Sequence, residues 1–130
     1  MVGAQTILVV EDEFLIRFDL SDALRELGYQ VLEAANGDEG QAILLSGQRV
    51  DLIVTDVRMP GQVDGMELAR RSKHQAPDRP VIVCSAHLSA SDSYPADAFL
   101  AKPYLTATLV GVIERLIGDP WQKTSLNLSA

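Results

Sequence analysis

Cysteine is nearly missing from this 130-residue chain. Cys84 is the single thiol, which excludes an internal disulfide and any multi-cysteine metal site. Basic residues are also scarce: 11 Lys and Arg stand against 18 Asp and Glu, a net charge of −7. Neutralising nucleic-acid phosphates takes clustered cations, so no nucleic-acid partner is expected. The same balance favours solubility and a basic protein partner or a cation. No apolar run approaches the roughly 18 residues of a membrane span, and the N-terminus has no charged-then-apolar leader. A cytoplasmic protein without membrane attachment is therefore expected. Neither a GxxxxGK nor a GxGxxG stretch occurs, so nothing offers a nucleotide cradle. Internal repeats, linkers and low-complexity segments are lacking as well.

What is there is ordinary globular material, 47 % apolar and 22 % charged, of a length that suits one domain. A single domain over residues 1–130 is expected, with a core from about 5 to 118 and a polar tail over 119–130. Five apolar segments recur: "TILVV" (6–10), "VLEAA" (31–35), "DLIVTD" (51–56), "PVIVCS" (80–85) and "AFLA" (98–101). Between them, residues 13–27 place Ile16, Leu20, Ala23, Leu24 and Leu27 on one helical stripe, with Gly28 as its stop. A shorter helix holds Ala42 to Leu45, between an Asn36-Gly37 turn and Gly47. A third, more polar helix covers 65–76. A last one near 105–117 carries Leu109, Ile113, Leu116 and Ile117 and ends at Gly118 and Pro120.

Strands alternating with helices imply a parallel sheet made of right-handed crossovers. "ILVV", "LIV" and "VIVC" are apolar at nearly every position, so these strands are buried on both faces and helices must cover both sides. Five such strands fit an α/β, flavodoxin-like, doubly wound sheet in the order 2-1-3-4-5, an order taken from known folds rather than from periodicity. In that topology ligands bind beyond the C-terminal strand ends, at the switch point between the first and third strands.

The polar residues after each strand then gather along one edge. Glu11 and Asp12 follow the first strand and Asp56 ends the third. Ser85 ends the fourth, and Lys102 with Pro103 follows the fifth. Two unit charges ~4 Å apart interact by about 4 kcal/mol at an effective dielectric near 20, so three converging carboxylates need a cation or protons. Carboxylate oxygens without His or Cys suit Mg2+. Lys102 adds a permanent positive charge, and the Ser85 hydroxyl can bond to an anion held between them. Such a set suits phosphoryl transfer onto Asp56 as nucleophile, with charge neutralised around the moving group. With no nucleotide cradle, the donor is expected to be a phosphoprotein or a small acyl phosphate.

"ILVVEDE", "DLIVTDVRMPG", "VIVCSA" and "FLAKP" resemble the signatures of the response-regulator receiver domain of two-component signalling, over residues 5–118. The resemblance implies a phospho-acceptor at Asp56, which catalyses its own phosphorylation and dephosphorylation and is not an enzyme acting on a separate substrate. It implies Mg2+ held by Glu11, Asp12, Asp56 and the backbone carbonyl of Arg58, with Glu11 acting through water. Ser85 matches the switch hydroxyl, Lys102 the family's lysine and Phe99 the switch aromatic. Lys102-Pro103 matches a junction often cis in the family. The implied partners are a histidine kinase or phosphotransfer protein as donor and an unknown downstream protein. No output domain is expected in the residues past 118, so either a stand-alone receiver or one cut from a larger protein is expected, with output through protein–protein contact.

Two departures from the pattern stand out. Seventeen positions separate Ser85 from Lys102, fewer than receivers usually have, so the fourth helix is expected short, irregular or missing within 87–97. "MPGQVDG" carries one extra residue before Asp64-Gly65. Each site residue also has an ordinary reading: Asp12 as a helix cap, Asp56 as a turn former, Lys102 as a solvated loop lysine, Ser85 as structural and Phe99 as core. Cys84 reads as a buried small hydrophobe, His74 as a surface residue and His87 as a loop residue near the site. Trp121 reads as packing the end of the last helix or marking a contact. Rival functions are a receiver-like module that takes no phosphate, a haloacid-dehalogenase-type phosphatase and a Toprim-type nuclease. "EDEF" and "DVR" lack the DxD spacing that the last two need.

Overall fold

The computed structural model describes residues 4–86 and 95–121. In chain order these form β1 (Thr6–Val10), α1 (Phe14–Glu26), β2 (Gln30–Ala34), α2 (Gly37–Leu45), β3 (Leu52–Asp56), α3 (Gly65–Gln75), β4 (Val81–Ser85), β5 (Ala98–Ala101) and α4 (Thr106–Ile117). All five strands pair in parallel in the order β2-β1-β3-β4-β5, as expected from the sequence. Residues 87–94 and 122–130 lie outside the described residues. The expectation for the fourth-helix region therefore falls largely outside them, as do His87 and most of the polar tail.

Strand side chains alternate between two cores. Ile7, Val9, Leu52, Val54, Ile82 and Cys84 face Leu20 and Leu24 of α1 and Leu109 and Ile113 of α4. Their chain neighbours Leu8, Val10, Ile53, Val81 and Val83 face Leu44 of α2 and Leu68 and Ala69 of α3. This is why β1 and β4 are buried at every position and β3 at all but its last residue. Burying each such Leu or Ile contributes ~1.5–3 kcal/mol, so the two apolar faces carry the fold. The outer strands are less apolar because each has one open edge: β2 begins exposed and β5 has one buried residue in four.

Helix ends follow local chemistry. The second helix is longer than the sequence suggested and begins at Gly37. Asn36 is its cap, not part of a turn: the Asn36 carboxamide oxygen accepts the Glu39 N–H at 2.8 Å, and the Glu39 carboxylate accepts the Ala35 N–H at 2.8 Å. Asp64 caps α3 by accepting the Glu67 N–H at 2.8 Å. Gly28, at φ +108°, takes the chain out of α1, a conformation costly for any other residue. The two ends of the described chain are tied together. Buried Gln5 donates its side-chain N–H to the carbonyls of Ile117 (2.5 Å) and Asp119 (3.0 Å), and the Tyr29 hydroxyl donates to Gly118 at 2.9 Å.

Candidate metal and phosphoryl site

Parallel registry brings the strand tips to one edge. The Glu11 N–H continues the β1–β2 ladder by donating to the Ala34 carbonyl at 3.1 Å, which places Glu11 just past the strand. Asp56 pairs with Cys84 across β3 and β4. The Lys102 N–H donates to the Ser85 carbonyl at 2.9 Å, so Ser85 and Lys102 are fixed side by side. From there the Lys102 ammonium reaches Glu11 Oε1 at 2.9 Å and Asp56 Oδ2 at 3.1 Å. Carboxylate oxygens of Glu11, Asp12 and Asp56 all lie within 4.8 Å of one another. Lys102-Pro103 is cis.

The electrostatics are unbalanced. Three carboxylates face one ammonium, leaving a net charge near −2 if all are ionised. Burial pushes the Glu11 carboxyl above its ordinary range, against the pull of Lys102 and of the Glu13 N–H, which donates to it at 3.2 Å. Burial alone would lower the Lys102 ammonium, yet hydrogen bonds to Glu11 and Asp56 together with their charges raise it above the usual lysine range. Lys102 is thus a permanent cation. An all-oxygen cluster with excess negative charge suits a hard divalent ion such as Mg2+, so these residues fit the metal the sequence implied.

The ordinary readings of three residues do not hold. Asp12 is exposed and is not the cap of α1, which falls at Glu13 with no side-chain cap bond. Lys102 is not solvated but bridges two acids with its side chain 22 % exposed. Phe99 is not core: it is 41 % exposed on β5, an edge strand of the sheet. Ser85 is buried at the end of β4, and Arg58 is exposed in the loop two residues past Asp56. His74 is exposed in the last turn of α3, and Trp121 is half exposed beside Gly28.

Two residues that support the site were not visible in the sequence. Gly65 starts α3 directly against the Asp56 carbonyl, where an added Cβ would overlap backbone atoms of Asp56 and Val57. The same carbonyl accepts the Thr55 hydroxyl at 2.9 Å, so the peptide beneath the Asp56 side chain is held from two sides. Arg17 of α1 donates to the Glu11 carbonyl at 2.7 Å and pairs with Glu33 at 3.4 Å, with its guanidinium over the Phe14 ring. It fixes the turn that carries the first two acids. The sequence signals were only a glycine before a polar helix and an arginine six residues past Glu11.

Cys84 packs under this cluster, and burial lifts its thiol to about 12 from an ordinary 9.0. A raised value means that the stability contributed by the neutral thiol is fully present below about 9. It is lost as pH climbs through about 12. At neutral pH the native protein is expected to resist iodoacetamide and to alkylate only on unfolding, which a mass-resolved time course in and out of denaturant checks.

A family model described as "Response regulator receiver domain" matches residues 7–114. The DNA-binding transcriptional regulator NtrC of Rhizobium meliloti is 37 % identical over 131 residues, covering 96 % of this chain and 26 % of that protein. The sensor kinase CckA of Brucella abortus is 37 % identical over 123 residues, covering 88 % of this chain and 13 % of its own length. The chain therefore spans about a quarter or less of these curated relatives. Among solved structures, response regulator TrrA of Thermotoga maritima, in complex with Mg2+-BeF, is 33 % identical with a TM-score of 0.77. The match covers 86 % of this chain and 98 % of that one.

Proposed function

The chain belongs to the response regulator receiver domain family, and from that premise we propose that Asp56 accepts a phosphoryl group from a histidine kinase or phosphotransfer protein. The observation that carries this is the reach of Lys102 to both Glu11 and Asp56 at one end of a three-carboxylate cluster. An Asp56 carboxylate oxygen forms a bond to phosphorus while the donor's P–N bond breaks, its electron pair passing to the imidazole nitrogen. Lys102 faces the negative charge of the moving group, which is where phosphoryl transfer gains most of its rate. Glu11, Asp12, Asp56 and the Arg58 carbonyl would hold Mg2+, which when bound supplies further charge neutralisation on the phosphoryl oxygens. Attack of water at phosphorus later breaks the acyl phosphate and returns the free carboxylate.

Residues 1–130 are read as one receiver domain, with its core near 5–118 and a polar tail after it. The TrrA match supports a Mg2+ and phosphoryl-type ligand at this edge, since that protein's complex contains Mg2+-BeF. Beside the acids, α1 exposes Phe14, Leu15 and Phe18, an apolar surface of the kind that meets protein partners. Once Asp56 is modified, Ser85 is drawn toward the phosphoryl oxygens and Phe99 moves inward from its exposed position. The outer face then shifts between two states and changes its affinity for a downstream protein. Complete switching from 1:99 to 99:1 takes about 5.5 kcal/mol of differential interaction.

Incubation with acetyl phosphate and Mg2+ is expected to add the mass of one phosphoryl group, and chelation of the metal should prevent it. A gain that survives Asp56→Ala, or no gain at all, would contradict the reading.

A further inference from the structure

The segment from Asp56 to Gly65 carries Arg58 and the extra residue of "MPGQVDG", and it is fastened both at the Asp56 end and, in its middle, away from the acids. At its far end, Gly65 donates to the Val57 carbonyl at 2.8 Å and sits on Asp56. In its middle the segment meets the first turn of α2. Asp38 Oδ2 accepts the Gln62 N–H at 3.2 Å and also occupies the space that a Cβ on Gly61, at φ +106°, would need. One residue further on, the carbonyl of buried Val63 is seated so closely on Gly37 that no side chain would fit there. Asp38 is itself held in place, because the Asn36–Glu39 capping pair fixes that turn. Its negative charge is also favoured at a helix N-terminus.

We propose that Asp38 is a positioning residue for the metal-side loop: by accepting the Gln62 N–H it anchors the extra-residue segment to α2 and so sets where the Arg58 carbonyl lies relative to Asp56. The inference rests on the phospho-acceptor reading for its functional consequence. It does not rest on that reading for the clamp. Asp38 makes no contact with the acid cluster on this account and acts only through the loop. Gly61 is the matching half of the device, since a side chain there would have to displace the same carboxylate and adopt a backbone conformation that L-residues rarely take.

The test uses two variants of the exposed Asp38, neither of which disturbs the core. Asp38→Ala removes both charge and acceptor; Asp38→Asn removes the charge but keeps a carbonyl oxygen. Two readouts apply to each: Gln62 amide exchange in the metal-free protein, and Mg2+ affinity by calorimetric titration. Asp38→Ala is expected to speed Gln62 exchange severalfold and to weaken Mg2+ binding about tenfold, as outer partners of metal sites do, with Asp38→Asn close to wild type. Unchanged exchange and affinity in Asp38→Ala would overturn the proposal. Equal losses in Asp38→Asn would also overturn it, by showing that the charge acts and not the hydrogen bond. A wild-type protein that binds no Mg2+ would count against the phospho-acceptor reading and against the metal consequence drawn from it. The clamp would fail separately, through unchanged Gln62 exchange.

Discussion

Replacing Lys102 with alanine is expected to slow phosphoryl transfer onto Asp56 by about 10²–10³-fold without unfolding the protein, the size of loss seen when one charge-stabilising donor is removed from a reaction centre. The expectation follows from the double contact of the ammonium with Glu11 and Asp56 and from its guaranteed positive charge. Mg2+ binding should respond in the opposite direction. Without the lysine, three carboxylates have lost their one permanent counter-charge, so their attraction for a divalent cation rises and the dissociation constant falls. A lysine that merely held the site together would lose rate and metal affinity in parallel. Initial rates of mass gain from acetyl phosphate at saturating Mg2+, set beside a Mg2+ titration of each variant, separate the two roles.

Gly65→Ala is expected to cost about 3 kcal/mol of stability or more, an unusually large effect for one methyl group. The added carbon would overlap the Asp56 carbonyl and the Val57 Cα, both backbone atoms with no rotamer to yield. Either α3 moves away from the sheet or the tip of β3 bends, and both outcomes disturb the nucleophile's peptide. Gly111 supplies the internal control. It sits inside α4 with nothing among the described residues within 4 Å of its would-be Cβ, so Gly111→Ala should stabilise by ~0.5–1 kcal/mol through helix propensity and leave phosphorylation alone. Urea midpoints and phosphorylation rates of the two variants form the comparison. Equal stability for both would mean that the close approach at Gly65 is not real.

How far the sequence foretells this structure depends on whether a residue's role is local or tertiary. β1, β3 and β4 were legible because burial on both faces leaves an unbroken apolar run that no other ordinary element needs. Glu11, Asp12, Asp56 and Lys102 were legible as a group, since each follows a strand and parallel pairing carries strand ends to one edge. Asn36-Gly37 was misread because an asparagine before a glycine serves a turn and a helix cap equally well. Glu39 three residues later was the signal that separates them. Phe99 gave no sign of its partial exposure, because the sequence does not say which side chains of an edge strand reach solvent. Gly65, Arg17 and Asp38 were hidden for a common reason. Each acts on backbone atoms brought near by the fold, and a backbone carbonyl leaves no mark in the side-chain pattern.

The most direct test is to identify the modified atom. Protein treated with acetyl phosphate and Mg2+ is reduced with borohydride, which converts an aspartyl phosphate to homoserine, and the product is digested and sequenced by mass spectrometry. Homoserine at position 56, and at no other carboxylate, is the expected result. Label on Glu11, Asp12 or a hydroxyl, or an unmodified Asp56 under conditions that bind Mg2+, would contradict the account.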